Sequence, residues 1–147
     1  AAEAAEAARG RAETATALFY VDTLEYLRRG GRIGSAAALL GGALSVKPLL
    51  RIEDGRVANL ERVRTSSRAL SRMEDLIVDA AGDRSVDLCV SHLANPDRAA
   101  DLARRLGERL ATNLESREVW CGELGAVLGA HVGPGMVAAC VAPLPGG

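Results

Sequence analysis

The segment from Ser66 to Asn113 constrains the fold most. Ala69, Leu70, Met73, Leu76, Ile77 and Ala80 recur at helical spacing, and Gly82 closes that helix. Val86 to Leu93 then alternates as a half-buried strand does. Asn95-Pro96 supplies an N-cap followed by proline at the first helical position. The helix it opens, to about Asn113, places Ala99, Leu102, Ala103, Leu106 and Leu110 on one face. Two one-sided helices around a strand need a sheet to cover them.

The flanking sequence supplies the rest of that sheet. Leu18 to Val21, Arg117 to Cys121 and Met136 to Val141 read as strands. Pro48 to Val63 reads as a hairpin, with Asp54-Gly55 as a type I′ turn. Residues 3 to 17 read as an Ala- and Glu-rich helix, and Leu24 to Arg29 as a short helix ended by Gly30-Gly31. Ser35 to Gly42 reads as a small-residue helix and Leu124 to Ala130 as another. The expected fold is α/β (α+β): a two-layer sandwich with a mixed sheet, a β-hairpin and helices packed on it. One Phe, one Trp and two Tyr leave an aliphatic core, and 147 residues suffice to build it without metal or disulfide.

Charge excludes some functions. Eighteen basic residues balance nineteen acidic ones for a net charge of −1, with no basic block, so nucleic acid is not an expected partner. No apolar run is long enough to cross a bilayer. Cys89, Cys121 and Cys140 fit neither a disulfide framework nor a zinc pattern and read as buried reduced thiols. With an opening that lacks the layout of a signal peptide, they set the expectation of a cytoplasmic protein.

Two glycine-rich stretches carry the chemistry. Tyr26 to Gly34 leaves Arg32 beside bare amides at Gly31 and Gly34, and His131-Val-Gly-Pro-Gly135 leaves His131 beside those of Gly133 and Gly135. A guanidinium or an imidazole next to exposed N–H groups suits an anion. The glycine spacing is not a Rossmann fingerprint, and no Lys-Ser/Thr follows to make a P-loop. Taken singly, each has a plainer reading, as a helix C-cap and as a tight turn into a strand. Asp22, Thr23 and Glu25 read as capping residues, and His92 as a strand-end histidine.

Together these motifs resemble the C-terminal lobe of the DegV family of bacterial fatty-acid-binding proteins. The resemblance rests on Phe19-Tyr-Val-Asp22, Leu24-Glu-Tyr-Leu27, the Arg-Arg-Gly-Gly-Arg-Ile-Gly run, Val46-Lys-Pro-Leu-Leu50, Asp54-Gly55, Arg64, His92 and His-x-Gly-Pro-Gly. It implies a non-enzymatic lipid-binding module, with no cofactor, that holds a long-chain fatty acid and presents its carboxylate to a fatty-acid kinase. By position, Arg32 and His131 would meet the carboxylate, and Arg64 and Arg68 would dock the kinase. Ile33, Leu39, Leu40, Leu44, Leu49 and Val132 would contact the acyl chain. The family's first lobe supplies hydroxyl groups from a Ser/Thr-rich segment followed by Gly, which does not occur here. Residues 1–17 are therefore expected to be an interdomain helix and 18–147 the C-terminal domain, completed by the missing N-terminal lobe or by self-association. The alternatives are a phosphate-handling enzyme domain of dihydroxyacetone-kinase-type fold and a ligand-free interaction domain.

Overall fold

The computed structural model describes residues 1–40 and 47–145. The elements run α1 (Ala2–Thr14), β1 (Thr16–Tyr20), α2 (Glu25–Arg29), a 3-10 helix (Gly34–Leu39), β2 (Lys47–Glu53), β3 (Arg56–Val63) and α3 (Ser66–Ala81), then β4 (Val86–His92), α4 (Pro96–Arg109), α5 (Ala111–Leu114), β5 (Trp120–Glu123), α6 (Ala126–Val132) and β6 (Val137–Pro143). Six strands form one sheet in the order β3-β2-β1-β6-β4-β5. Every pairing is antiparallel except β4 with β5, so the sheet is mixed, as the sequence implies.

The two faces of the sheet are dressed differently. On the first, Leu18, Tyr20, Leu49, Val86, Leu88, Val90, Val137, Ala139 and Val141 pack against the stripes of α3 and α4. On the second, Phe19, Val21 and Leu50 pack beneath the shorter α2, the 3-10 helix and residues around α6. Strand alternation makes this division, since neighbouring residues point to opposite faces. Leu49 is fully buried in the α3/α4 core. Its expected contact with an acyl chain is therefore corrected: Leu50, one residue on, carries the second face.

Local chemistry sets the element ends. Asp54 and Gly55 both take positive φ (50° and 71°), the requirement of a type I′ turn. Thr65 caps α3 by accepting the Arg68 amide at 3.2 Å. Gly31 (φ 67°) closes α2 in a Schellman motif: its amide donates to Arg28 O at 3.1 Å and the Arg32 amide to Leu27 O at 2.8 Å.

Several expectations shift. Helix α1 stops at Thr14 because Thr16 and Ala17 already pair with Val141 and Cys140. The small-residue segment is a 3-10 helix, held on the edge strand β3 where Ser35 Oγ accepts the Asn59 amide at 3.3 Å. The α4 helix breaks at Leu110 (φ −106°, ψ 19°), and both Leu110 and Leu114 are buried. β5 begins three residues late because Glu115 and Ser116 take positive φ (49° and 71°) and the Arg117 amide still donates to Leu114 O at 2.8 Å. Asn95 does not cap α4 with its side chain: Nδ2 donates instead to Gly135 O at 2.8 Å. Cys121 is exposed on the edge strand, not buried, while Cys89 and Cys140 are half-buried. No described helix is long and apolar enough to cross a membrane.

Candidate functional site

The two glycine-rich stretches lie against each other at one end of the sheet. Helix α2 packs against α6, and three close approaches seat them. The His131 ring lies on the Cα of Gly30, where any Cβ would overlap Nδ1. The Tyr26 ring lies on Gly133, where a Cβ would overlap the ring edge. The Asp22 carboxylate lies on Gly135, where a Cβ would overlap Oδ2. Positions 22, 26 and 30 thus mate with 135, 133 and 131 in reverse order. A four-residue step along the first stretch matches a two-residue step along the second.

This interlock brings both Arg32 and His131 against Gly30. Arg32 Nη1 donates to Gly30 O at 2.9 Å. His131 sits in the last turn of α6 rather than in the loop after it, because the helix runs on to Val132 and Gly133 (φ 77°) ends it. Its Nδ1 is buried and has no hydrogen-bond partner among the described residues. The neighbouring cations differ in kind. Glu25 accepts from Arg28 Nε at 2.8 Å and Arg29 Nε at 2.8 Å. Hydrogen bonds, first from Arg28 and then from Arg29, hold its carboxyl down to about 2. Arg32 is exposed and, among the described residues, forms no ion pair. Within the first stretch it is the arginine left to meet an external anion.

The apolar floor beside this pair belongs to the second face of the sheet. Ile33, Leu39 and Val132 are half-buried against Phe19, Val21, Leu27 and Leu50. Leu40 is exposed at the end of the 3-10 helix, and Leu44 lies outside the described residues. Gly34 (φ 53°) has a packing role of its own: a Cβ there would overlap Val57 O. Arg64 and Arg68 are exposed. Arg64 directly follows Val63, which pairs with Lys47 at the same end of the sheet that carries Asp22 and Gly135. His92 is 8% exposed and accepts the Asn95 amide at Nδ1 (3.3 Å).

Three contributors escaped the sequence reading. Gly30 and Tyr26 read as helix end and helix interior, and Asp22 as a cap. Thr23 does cap, accepting the Glu25 amide at 3.2 Å. Asp22 instead accepts the hydroxyl of fully buried Tyr20. Burial first, and that bond second, push the Tyr20 phenol well above its ordinary range. The signal available for all three was the four-residue spacing of Asp22, Tyr26 and Gly30.

The fold and motifs have close relatives. Residues 1–144 match the model of the DegV family, described as uncharacterised proteins. A DegV domain-containing protein of Streptomyces coelicolor is 53% identical over 139 residues, 95% of this chain and 48% of the relative. One from Mycobacterium bovis is 43% identical over 137 residues, 93% of this chain and 48% of the relative. The chain spans about half the length of the curated relatives it matches. Among solved structures, a DegV family protein from Thermus thermophilus, described as binding fatty acid, superposes with a TM-score of 0.84 at 34% identity, covering 98% of this chain and 51% of that one. DegV of Bacillus subtilis, described as a fatty acid binding protein, gives 0.78 at 30% identity, with 95% and 48% covered. A six-stranded mixed sheet, an interlocked pair of glycine stretches and a family match over nearly the whole length converge on one conclusion: the chain belongs to the DegV family.

Proposed function

We propose that this chain is one lobe of a fatty-acid-binding protein, in which Arg32 and His131 hold the carboxylate and the second face of the sheet receives the start of the acyl chain. The observation that carries this reading is that a His and an Arg without an ion-pair partner among the described residues both lie against Gly30, next to an apolar floor. A carboxylate in an apolar setting has to be hydrogen-bonded or it takes up a proton. A guanidinium fork and an imidazole N–H are donors matched to that need. The amides of Gly31, Gly133 and Gly135, expected from the sequence to be bare, are bonded within the chain to Arg28 O, Gly129 O and Leu93 O, so the two side chains and not the backbone would meet the carboxylate. Ile33, Leu39, Leu40 and Val132 contact the chain, and Leu50, itself fully buried, lies beneath that path.

The half-length match supports a second lobe closing over this surface. It would supply the hydroxyl groups that the Arg32–His131 pair lacks, and a second copy of the chain is the other candidate cover. Arg64 and Arg68 share the carboxylate end of the sheet. That position suits a fatty-acid kinase that docks there and works on the presented carboxylate in the cytoplasm, with this chain acting as carrier and not as enzyme. Fatty-acid binding to the two-lobed protein, followed by calorimetry and native mass spectrometry, tests the reading. Arg32→Gln and His131→Gln should each weaken binding about tenfold, roughly 1.4 kcal/mol. Unchanged affinity in both would remove the assignment.

A further inference from the structure

Building on the reading that His131 meets the carboxylate, we propose that Asp22 is a positioning residue that holds the His131–Gly135 segment in register with Arg32. Its two carboxylate oxygens face two different parts of the molecule. Oδ1 accepts the hydroxyl of Tyr20, which is rooted in the core under α3 and α4. Oδ2 lies on Gly135, whose positive φ (90°) allows the close approach. Lys47 fixes the backbone of Asp22 by donating to its carbonyl at 3.2 Å, with Nζ 3.9 Å from Oδ1.

Gly135 is thereby gripped from three sides. Its amide donates to Leu93 O at 2.8 Å, its carbonyl accepts from Asn95 Nδ2 at 2.8 Å, and its Cα rests on Asp22. Four residues upstream, His131 leans on Gly30 with no hydrogen bond at its buried Nδ1. Among the described residues no hydrogen bond of its own ring nitrogen fixes the pose of the imidazole, so the pose depends on where the segment is anchored. Asp22 ties that anchor to β1, the strand that leads directly into the arginine-bearing stretch. Holding both groups from one strand lowers the ordering cost of binding an anion between them.

The chain has two histidines, so imidazole NMR reads His131 directly, with His92→Gln providing the assignment. Tyr20→Phe removes one hydroxyl, and Asp22→Ala removes the link. Both should move the His131 Cε1–H resonance and speed exchange of the Gly135 amide at least tenfold. Asp22→Asn keeps the size and an acceptor oxygen and should restore the native values. Should Asp22→Ala not fold, Tyr20→Phe carries the test. An unchanged His131 resonance and unchanged Gly135 exchange in the variants that fold would overturn the proposal, even if stability fell. The carboxylate reading fails separately: if these variants move His131 while His131→Gln leaves fatty-acid affinity of the two-lobed protein unchanged, Asp22 stands as a positioning residue and the carboxylate role of His131 does not.

Discussion

Gly30 shows what a missing methyl group does at this site. Its backbone is ordinary right-handed helix (φ −76°, ψ −5°), so alanine suits its conformation. The hydrogen side chain is needed only because the His131 ring occupies the space a Cβ would take. Gly30→Ala should therefore displace the imidazole and leave α2 folded. In the two-lobed protein, the expected result by calorimetry is a roughly tenfold loss of fatty-acid affinity, with a melting temperature close to that of the parent. Gly133→Ala differs, since it adds a left-handed φ of 77° to a clash with Tyr26; denaturant unfolding should show a loss of about 1–3 kcal/mol. Glu25 offers a titration test. Its carboxyl falls from 4.5 to about 2 in the folded chain, so its pairing contributes above pH 4.5 and is lost as pH falls toward 2. The Glu25 side-chain carbon should titrate by NMR with a midpoint near that folded value, and a midpoint near 4.5 would contradict the paired geometry.

At the scale of elements, periodicity and caps did most of the specifying. Helix α3 runs from Ser66 to Ala81 as its stripe and its Thr65 cap imply, and Thr65→Ala should cost about 1 kcal/mol in chemical denaturation. Its seat against α4 also includes a polar clasp. Glu74, buried on the helix, receives Arg105 Nε at 2.7 Å and Arg109 Nη1 at 2.9 Å. Glu74→Ala should lower stability by about 1 kcal/mol, because each guanidinium loses one charge-assisted bond but keeps another carboxylate, Asp101 for Arg105 and Asp75 for Arg109. The elements that depart from the sequence pattern are those without such local markers. β5 is a short edge strand whose start is delayed by two positive-φ residues, Glu115 and Ser116, neither of them a glycine. The break at Leu110 serves packing of Leu110 and Leu114 beneath the sheet, and no glycine or proline announces it.

For the molecule as a whole, the asymmetry between the two faces matters most. α3 and α4 cover one face, while shorter segments cover part of the other. Val127 and Leu128 on α6 stand 80% and 57% exposed, with Ile52 and Trp120 also open. Val127 and Leu128 are neighbours on α6, and adjoining exposed apolar side chains suit a contact, whereas Ile52 and Trp120 stand singly on other elements. The isolated chain should associate with itself in a concentration-dependent way in sedimentation velocity, and a Val127→Ser/Leu128→Ser pair should shift it toward monomer. A chain that stays monomeric at high concentration would argue against a missing cover over α6.

The order of strands and helices, the turn at Asp54-Gly55 and the stripe of each long helix follow from the sequence alone, because periodicity, caps and turn residues act over a few neighbouring positions. The interlock of 22, 26 and 30 with 135, 133 and 131 belongs to the tertiary structure. So does the assignment of Leu49 and Leu50 to opposite faces, which adjacent leucines do not announce until partner strands and helices lie above and below them. Glycines chosen for close approach look like glycines chosen for turns until the side chain that fills their space arrives from about a hundred residues away.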